Sequence, residues 1–176
     1  MTPALSLKPT QPQDLAFVLA AENHLDNRPY IHPWSQERHL EAIHSEDEAH
    51  FLLVAEDTTQ DARPVGYLIL QGLTSPHRSL EMRRLVVTEK GQGYGRTALR
   101  LIQAFAFETR QAHRLWLDVK VHNQRAKRLY EQAGFVLEGC LRECLKTEQG
   151  YESLYLMSQL RSEYFQQLPS TGSAPL

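Results

Sequence analysis

From Val86 to Arg96 the chain reads Val-Val-Thr-Glu-Lys-Gly-Gln-Gly-Tyr-Gly-Arg, and three of its nine glycines stand there on alternate positions. An apolar run precedes this loop. An amphipathic stretch follows it, with Ala98, Leu101, Ile102 and Phe105 on one face between Thr97 and Arg110. A strand that turns through glycines into a helix start confines the chain to folds that layer strands against helices. Glycine permits positive φ and close approach of other atoms to the backbone. The first N–H groups of the helix, at the positive end of its dipole, form an anion site. Arg83, Arg84, Lys90, Arg96 and Arg100 gather further positive charge around it. The pattern favours a phosphate or pyrophosphate ligand over a solvated basic turn.

The period of the hydrophobic pattern places other elements around the loop. Phe51–Ala55, Val65–Leu70 and Leu80–Val87 are short apolar runs that read as buried strands. Leu115, Leu117, Val119 and Val121 alternate with Trp116, Asp118 and Lys120, a period of two and a fourth strand. Turns are expected over Glu56–Pro64 and Thr74–Arg78. Leu15, Val18, Leu19 and Glu22 follow Pro12 and Asp14 as a short helix. Asn123 is placed to cap a helix carrying Ala126, Leu129, Tyr130 and Ala133 on one face, and Gly134 to end it. The order implies a mixed α/β layer in one domain over residues 1–168. Residues 169–176, rich in Pro, Ser, Thr, Gly and Ala, read as a disordered tail.

Composition narrows the function classes. Nineteen Lys and Arg against 21 Asp and Glu leave a formal charge of −2, which provides no global field for nucleic acid or an anionic membrane. No run approaches the roughly 20 apolar residues of a membrane span, and Met1–Leu7 lacks a signal-peptide layout. A cytoplasmic location is expected. Cys140 and Cys144 make no disulfide framework and have no nearby His pair for zinc. His39, His44 and His50 fit no metal-ligand spacing and are expected at the surface, so no metal is expected. Glu46, Asp47 and Glu48 read as a solvated face, although such a run also suits a cationic amine.

Gly93-x-Gly95-x-x-Ala98, with Asp118 20 residues further on, formally fits the dinucleotide fingerprint. Thr88, Glu89 and Lys90 intervene between strand and first glycine, however, and only 58 residues follow Asp118. A P-loop is excluded, because no Gly-Lys-Ser/Thr closes the turn. A nicotinamide dinucleotide is the weaker alternative.

Two segments together carry a resemblance. Lys90-Gly91-Gln92-Gly93-Tyr94-Gly95-Arg96 resembles the acyl-CoA motif Q/R-x-x-G-x-G/A of the GNAT N-acetyltransferases, with Lys90 where Gln or Arg is usual. Asn123, Ala126, Leu129-Tyr130-Glu131 and Gly134-Phe135 resemble that family's N-x-x-A-x-x-L-Y-E-x-x-G-F segment. Glu138–Glu143 and Tyr151–Met157 are similar to the ending of the branch holding the ribosomal-protein-alanine and spermidine N-acetyltransferases. The resemblance implies a mixed, mostly antiparallel sheet of about six to seven strands, helices on both faces and a splayed central strand pair. It implies acetyl-CoA as co-substrate, an amine acceptor (protein N-terminus, polyamine or small metabolite) and possible homodimers. It puts the pantetheine arm along Leu85, Val86 and Val87. The pyrophosphate falls on the loop amides of Gly91, Gln92, Gly93, Tyr94, Gly95 and Arg96 beside Lys90, with Asn123 and Tyr130 near the thioester.

Acetyl transfer to an amine needs the amine deprotonated, the oxyanion stabilised and the departing thiolate protonated. Asp118 occupies the place where the ribosomal-protein enzymes resembled here carry a basic Glu, and its shorter side chain calls for a bridging water. Its alternative role is an ion pair with Lys120 or Arg128. Glu81 is a second candidate base, or a strand-edge charge. Periodicity makes Tyr130 a core aromatic beside Ala126 and Leu129; the resemblance makes it the acid for the leaving sulfur. Asn27–Trp34 joins the first two helices, where the family builds its acceptor wall, so Tyr30 and Trp34 either line a pocket or pack the loop. A non-catalytic acyl-CoA-binding module remains the competing function on the same fold.

Overall fold

The computed structural model describes residues 4–56 and 62–168. The expected tail, 169–176, lies outside the described residues, as does most of the turn expected before Pro64. Strand β1 (Leu5–Pro9) leads through a 3-10 turn into helices α1 (Leu15–Asn23) and α2 (Gln36–His44). Strands β2 (Glu48–Ala55), β3 (Arg63–Gln71) and β4 (Ser79–Val87) follow as a meander. Helix α3 (Tyr94–Ala104) runs into a π turn over Phe105–Thr109, then come β5 (Arg114–Lys120) and α4 (Gln124–Gln132). A long hairpin of β6 (Val136–Thr147) and β7 (Gly150–Leu160) precedes α5 (Arg161–Gln167).

The strands form one sheet in the order β1-β2-β3-β4-β5-β7-β6, and among its pairings only β4 with β5 is parallel. That order is unlike a doubly wound parallel sheet, which removes the structural basis of the dinucleotide alternative. The parallel contact is also short: it covers Ser79–Glu81 against Arg114–Trp116 and then stops. Beyond Glu81, β4 keeps β3 on one side, while its other edge has no strand partner among the described residues. The expected splay is therefore real, and it leaves backbone donors and acceptors of β4 for something else to satisfy.

Alternation divides β3 between two cores. Leu68 and Leu70 join Leu99, Ile102, Phe107, Leu115 and Leu117 beneath α3, and Tyr67 and Ile69 join Leu15 and Val18 beneath α1. The four β3 residues are fully buried, and a buried Leu or Ile contributes about 1.5–3 kcal/mol relative to exposure. On β4 the register shifts at Arg83, since Ile69 pairs with Arg84 while Leu70 pairs with Met82. This bulge reverses the alternation: Leu80 and Met82 face the α3 core, whereas Val86 faces the α1 core.

Several boundaries differ from the sequence reading. Pro64 belongs to β3 and not to a turn. It pairs with Val54 beside the bulge at Leu53/Val54, where the ladder with β2 is already irregular and a proline is tolerated. Helix α3 starts at Tyr94, three residues before Thr97, and the Arg110 N–H reaches back five residues to Phe105. Strand β1 carries only Leu5 and Leu7 as apolar residues, too few to read as a strand. The predicted cap holds: the Asn123 side chain accepts from the Ala126 N–H at 3.2 Å, and Gly134 follows at φ 94°.

Candidate active site

The gap between β4 and β5 opens into a cleft of about 1460 Å³, floored by both strands and walled by the glycine loop, α4 and the segment Leu25–His32. Its construction begins with the backbone. Gly91 and Gly93 hold φ of 87° and 82°, conformations that a β-carbon opposes. Gly93 is the N-cap of α3 and offers no side-chain cap, so it leaves the Tyr94 and Gly95 amides to a ligand, while the Arg96 N–H donates to the Gly93 carbonyl at 3.1 Å. Gly95 sits where a β-carbon would lie 3.1 Å from Leu129 Cδ2, which lets α3 and α4 approach closely. All residues expected to hold the cofactor, Leu85–Val87, Lys90–Arg96, Asn123 and Tyr130, line this one cleft. Arg125 and Arg128 of α4 add positive charge to the same wall; the loop motif did not point to them, and they lie 29 or more positions from Arg96.

Asp118 lines the cleft from β5, and Glu81 stands at the fork where β4 and β5 part. Arg83 bridges them, its Nη1 3.3 Å from Glu81 Oε1 and 3.9 Å from Asp118 Oδ2. Lys120 and Arg128 are thus not the partners of Asp118 that the sequence offered. Burial raises both carboxyl pKa values, and the Arg83 charge opposes the rise. Tyr130 is 9% exposed and packs against Phe135 with ring centroids 6.0 Å apart, yet it also lines the cleft. Burial, aided by the Asp118 charge, pushes its phenol up to about 12. One carboxyl poised to take a proton, Asp118, and one phenol that keeps its own thus share the cavity, while Glu81 lies outside its lining and reaches Asp118 only through Arg83.

The wall Leu25–Trp34 separates the two aromatic candidates. Tyr30 lines the cleft and lies against His122, ring centroids 5.6 Å apart. Trp34 packs behind the wall on the α1 core, between the guanidiniums of Arg38 and Arg84 at 4.2 and 4.7 Å from its ring centre. Lys120, which the sequence offered only as a partner of Asp118, instead donates to the Pro29 carbonyl at 2.9 Å and pairs with Glu152 at 2.8 Å.

Two surface expectations fail near this wall. His39 and His50 are buried, 0% and 5% exposed, while His44 is exposed. The two buried rings are joined at 3.1 Å (Nδ1 to Nε2), and His50 Nδ1 lies 2.9 Å from Thr10 Oγ1. The acid run is only in part a solvated face: Glu46 is exposed, whereas its two neighbours are engaged. Asp47 accepts from the Gly72 and Thr74 N–H groups, and Glu48 takes both terminal nitrogens of Arg38. Cys140 and Cys144 are free and exposed on β6. No helix among the described residues is long and apolar enough to cross a membrane, and no cluster of three or more metal-ligating side chains occurs among them.

Residues 19–135 match the family model of the acetyltransferase (GNAT) family. The chain is 30% identical over 173 residues to the spermidine N(1)-acetyltransferase of Vibrio cholerae serotype O1, covering 93% of this chain and 97% of that protein. It is 23% identical over 181 residues to the Escherichia coli K12 spermidine N(1)-acetyltransferase, covering 98% and 95%. Among solved structures, the Vibrio cholerae spermidine N-acetyltransferase in complex with CoA and spermine superposes with a TM-score of 0.79 at 28% identity, over 92% of this chain and 98% of that one. A dodecameric structure of the Vibrio cholerae enzyme superposes with a TM-score of 0.77 at 27% identity, over 94% and 98%.

Proposed function

The chain belongs to the acetyltransferase (GNAT) family and is an acetyl-CoA-dependent N-acetyltransferase; from that premise we propose that its acceptor is a terminal primary amine of a polyamine, attacked directly in a ternary complex. An alkyl amine with a pKa of about 10.4 is almost wholly protonated at neutral pH, so its proton must leave before attack. Asp118, its pKa raised by burial, takes that proton directly or through a water, and Glu81 stands across Arg83 as a second carboxylate beside it. The nitrogen lone pair then adds to the thioester carbonyl, and the C–S bond breaks with its electron pair leaving on sulfur. The nitrogen sheds its surplus proton to solvent, which in turn restores the proton that Tyr130 gives up. Tyr130 donates a hydrogen bond to the sulfur as charge develops and delivers its proton as the bond opens. The loop amides and Lys90 hold the phosphates, while β4 offers its unpaired edge at Leu85–Val87 to the pantetheine amides.

The observation that carries this reading is the placing of Tyr130. Its phenol, at about 12, remains a proton donor at physiological pH and lies in the same cleft as Asp118 and the glycine loop. The polyamine assignment is supported by the acceptors named for the relatives and by the paired carboxylates at the fork. A cytoplasmic location and self-association complete the proposal. The dodecameric relative supports assembly without singling out a dimer.

Thiol release from acetyl-CoA, followed with spermidine, a short diamine and an N-terminal peptide, tests the reading. We expect release with spermidine, and a loss of about a hundredfold or more in kcat for Tyr130→Phe. Absence of release with every amine, or a Tyr130→Phe enzyme at full rate, overturns it.

A further inference from the structure

Residues Leu25–Trp34 join α1 to α2 through turns and irregular backbone, yet they form the wall of the cleft opposite the cofactor loop. Three of the wall's carbonyls, spaced three residues apart, each receive a cation from a different part of the sheet side. Lys90 Nζ donates to Asp26 O at 2.5 Å, Lys120 Nζ to Pro29 O at 2.9 Å and Arg84 Nη2 to His32 O at 2.7 Å. Lys90 and Lys120 line the cleft, and Lys120 is further held by Glu152 at 2.8 Å. The Arg84 side chain is only 8% exposed, and its other terminal nitrogen is paired with Glu22 of α1.

Glu22 is the node of this arrangement. Its carboxylate is 0% exposed and accepts from the Trp34 N–H at 2.9 Å, from Tyr67 Oη at 2.6 Å and from Arg84. One carboxylate therefore fixes both ends of His32–Trp34: Trp34 directly, and His32 through Arg84. Arg84 is also rooted in β4, next to the bulge and on the strand that floors the cleft, and it stacks on the Trp34 ring at 4.7 Å. A purely structural ion pair needs no contact with the wall, and burying two charges is a poor route to stability alone. The mechanism proposed above uses neither side chain.

We infer that Glu22 and Arg84 are positioning residues that set the distance between β4 and the wall Leu25–Trp34, and so fix the amine KM and the selectivity between long and short amines. The inference rests on the reading of this wall as the acceptor side.

Tyr67 supplies an internal control. Its hydroxyl donates to the same carboxylate from the core side, whereas the wall's backbone is held by the Trp34 N–H on Glu22 and by Arg84 on His32, so Tyr67→Phe weakens the node while both holds on the wall remain. The experiment compares Glu22→Gln, Arg84→Lys and Tyr67→Phe for kcat, KM for spermidine and for a short diamine, acetyl-CoA Kd, and hydrogen exchange at the amides of 25–34. Glu22→Gln and Arg84→Lys are expected to raise the spermidine KM about tenfold, with kcat changed less than about threefold, as uniform binding loss requires. The ratio of the two amines' kcat/KM should shift, acetyl-CoA Kd should hold, and the wall amides should exchange faster. Tyr67→Phe should lower Tm and leave KM and wall exchange as in the wild type. Unchanged KM and exchange in the first two variants overturn the inference, as does a Tyr67→Phe enzyme with the KM of Glu22→Gln. Arg84→Lys decides alone if Glu22→Gln fails to fold. A wild type inactive on every amine sinks the polyamine reading, and wall exchange then decides the positioning role by itself.

Discussion

On the cofactor side of the cleft, the binding groups from Lys90 to Arg96 are neighbours in the chain, and their conformation follows from two glycines with positive φ and one helix start. On the acceptor side, Glu22 meets Arg84 across 62 positions, Lys90 meets Asp26 across 64, and Lys120 meets Pro29 across 91. The first half is built from backbone and local rules, the second from buried charges that only the finished fold brings together. Phosphates are alike in every CoA ligand, so a backbone cradle serves them all. Acceptors differ, and a wall held by side chains can be altered without disturbing the cradle.

Acid should separate the halves most strongly. His50 is buried against His39 and Thr10, with Glu22, Arg84 and Glu48 as its charged neighbours; burial, then the His39 charge, lowers its pKa to about 4. A base whose pKa falls on folding leaves stability unaffected above its unfolded value of 6.5; as pH drops below that, the unfolded chain gains a proton that the fold refuses. The stability lost by pH 4 approaches about 3 kcal/mol. Glu22 acts lower. Burial works to raise its pKa, but His39, Tyr67, Arg84 and Trp34 together hold it at about 2, so its contribution is present above 4.5 and lost between there and 2. Thermal melts should therefore fall steeply from pH 6.5 to 4 in the wild type and less steeply in His50→Gln. Parallel curves for the two proteins would break the assignment of this acid sensitivity to the acceptor half.

This contrast also explains what was legible in the sequence. Strands β2 to β5, the Asn123 cap, the Gly134 stop and the glycine loop follow from local period and turn chemistry, and each lies where the pattern puts it. The burial of His39 and His50 does not, because their partners Glu22 and Thr10 are 17 and 40 positions away and nothing local marks a histidine as buried. Trp34 was equally ambiguous: an aromatic in a loop faces a cleft or a core according to packing that sequence does not encode locally. Strand β6 is exposed along most of its length, so it lacks the apolar alternation by which strands are recognised.

Gly93→Val probes the cofactor half alone. A β-branched residue at φ 82° is strained, and relief of that strain would re-aim the first amides of α3. We expect acetyl-CoA affinity to fall about ten- to a hundredfold, in line with ~1–2 kcal/mol of backbone strain and displaced amide donors. Exchange at the wall amides 25–34 should stay as in the wild type. Calorimetric titration measures the first, and loosening of the wall in the same variant would show that the halves are not independent.

Asn123→Ala has the smallest expected effect and tests where the boundary between the halves lies. The residue lines the cleft, but its side-chain oxygen accepts from the Ala126 N–H as the cap of α4. Removing a cap costs about 1 kcal/mol, and fraying of the first turn would displace Arg125, Arg128 and Tyr130 from the cofactor wall. Asn123→Ser restores the capping oxygen with a shorter side chain. If capping is the whole contribution, Ser recovers both the melting temperature and acetyl-CoA affinity, and Asn123 belongs with the locally built half. Should Ser recover stability while affinity stays low, the amide itself touches the ligand, and the cofactor half then depends on a side-chain contact as well as on its backbone.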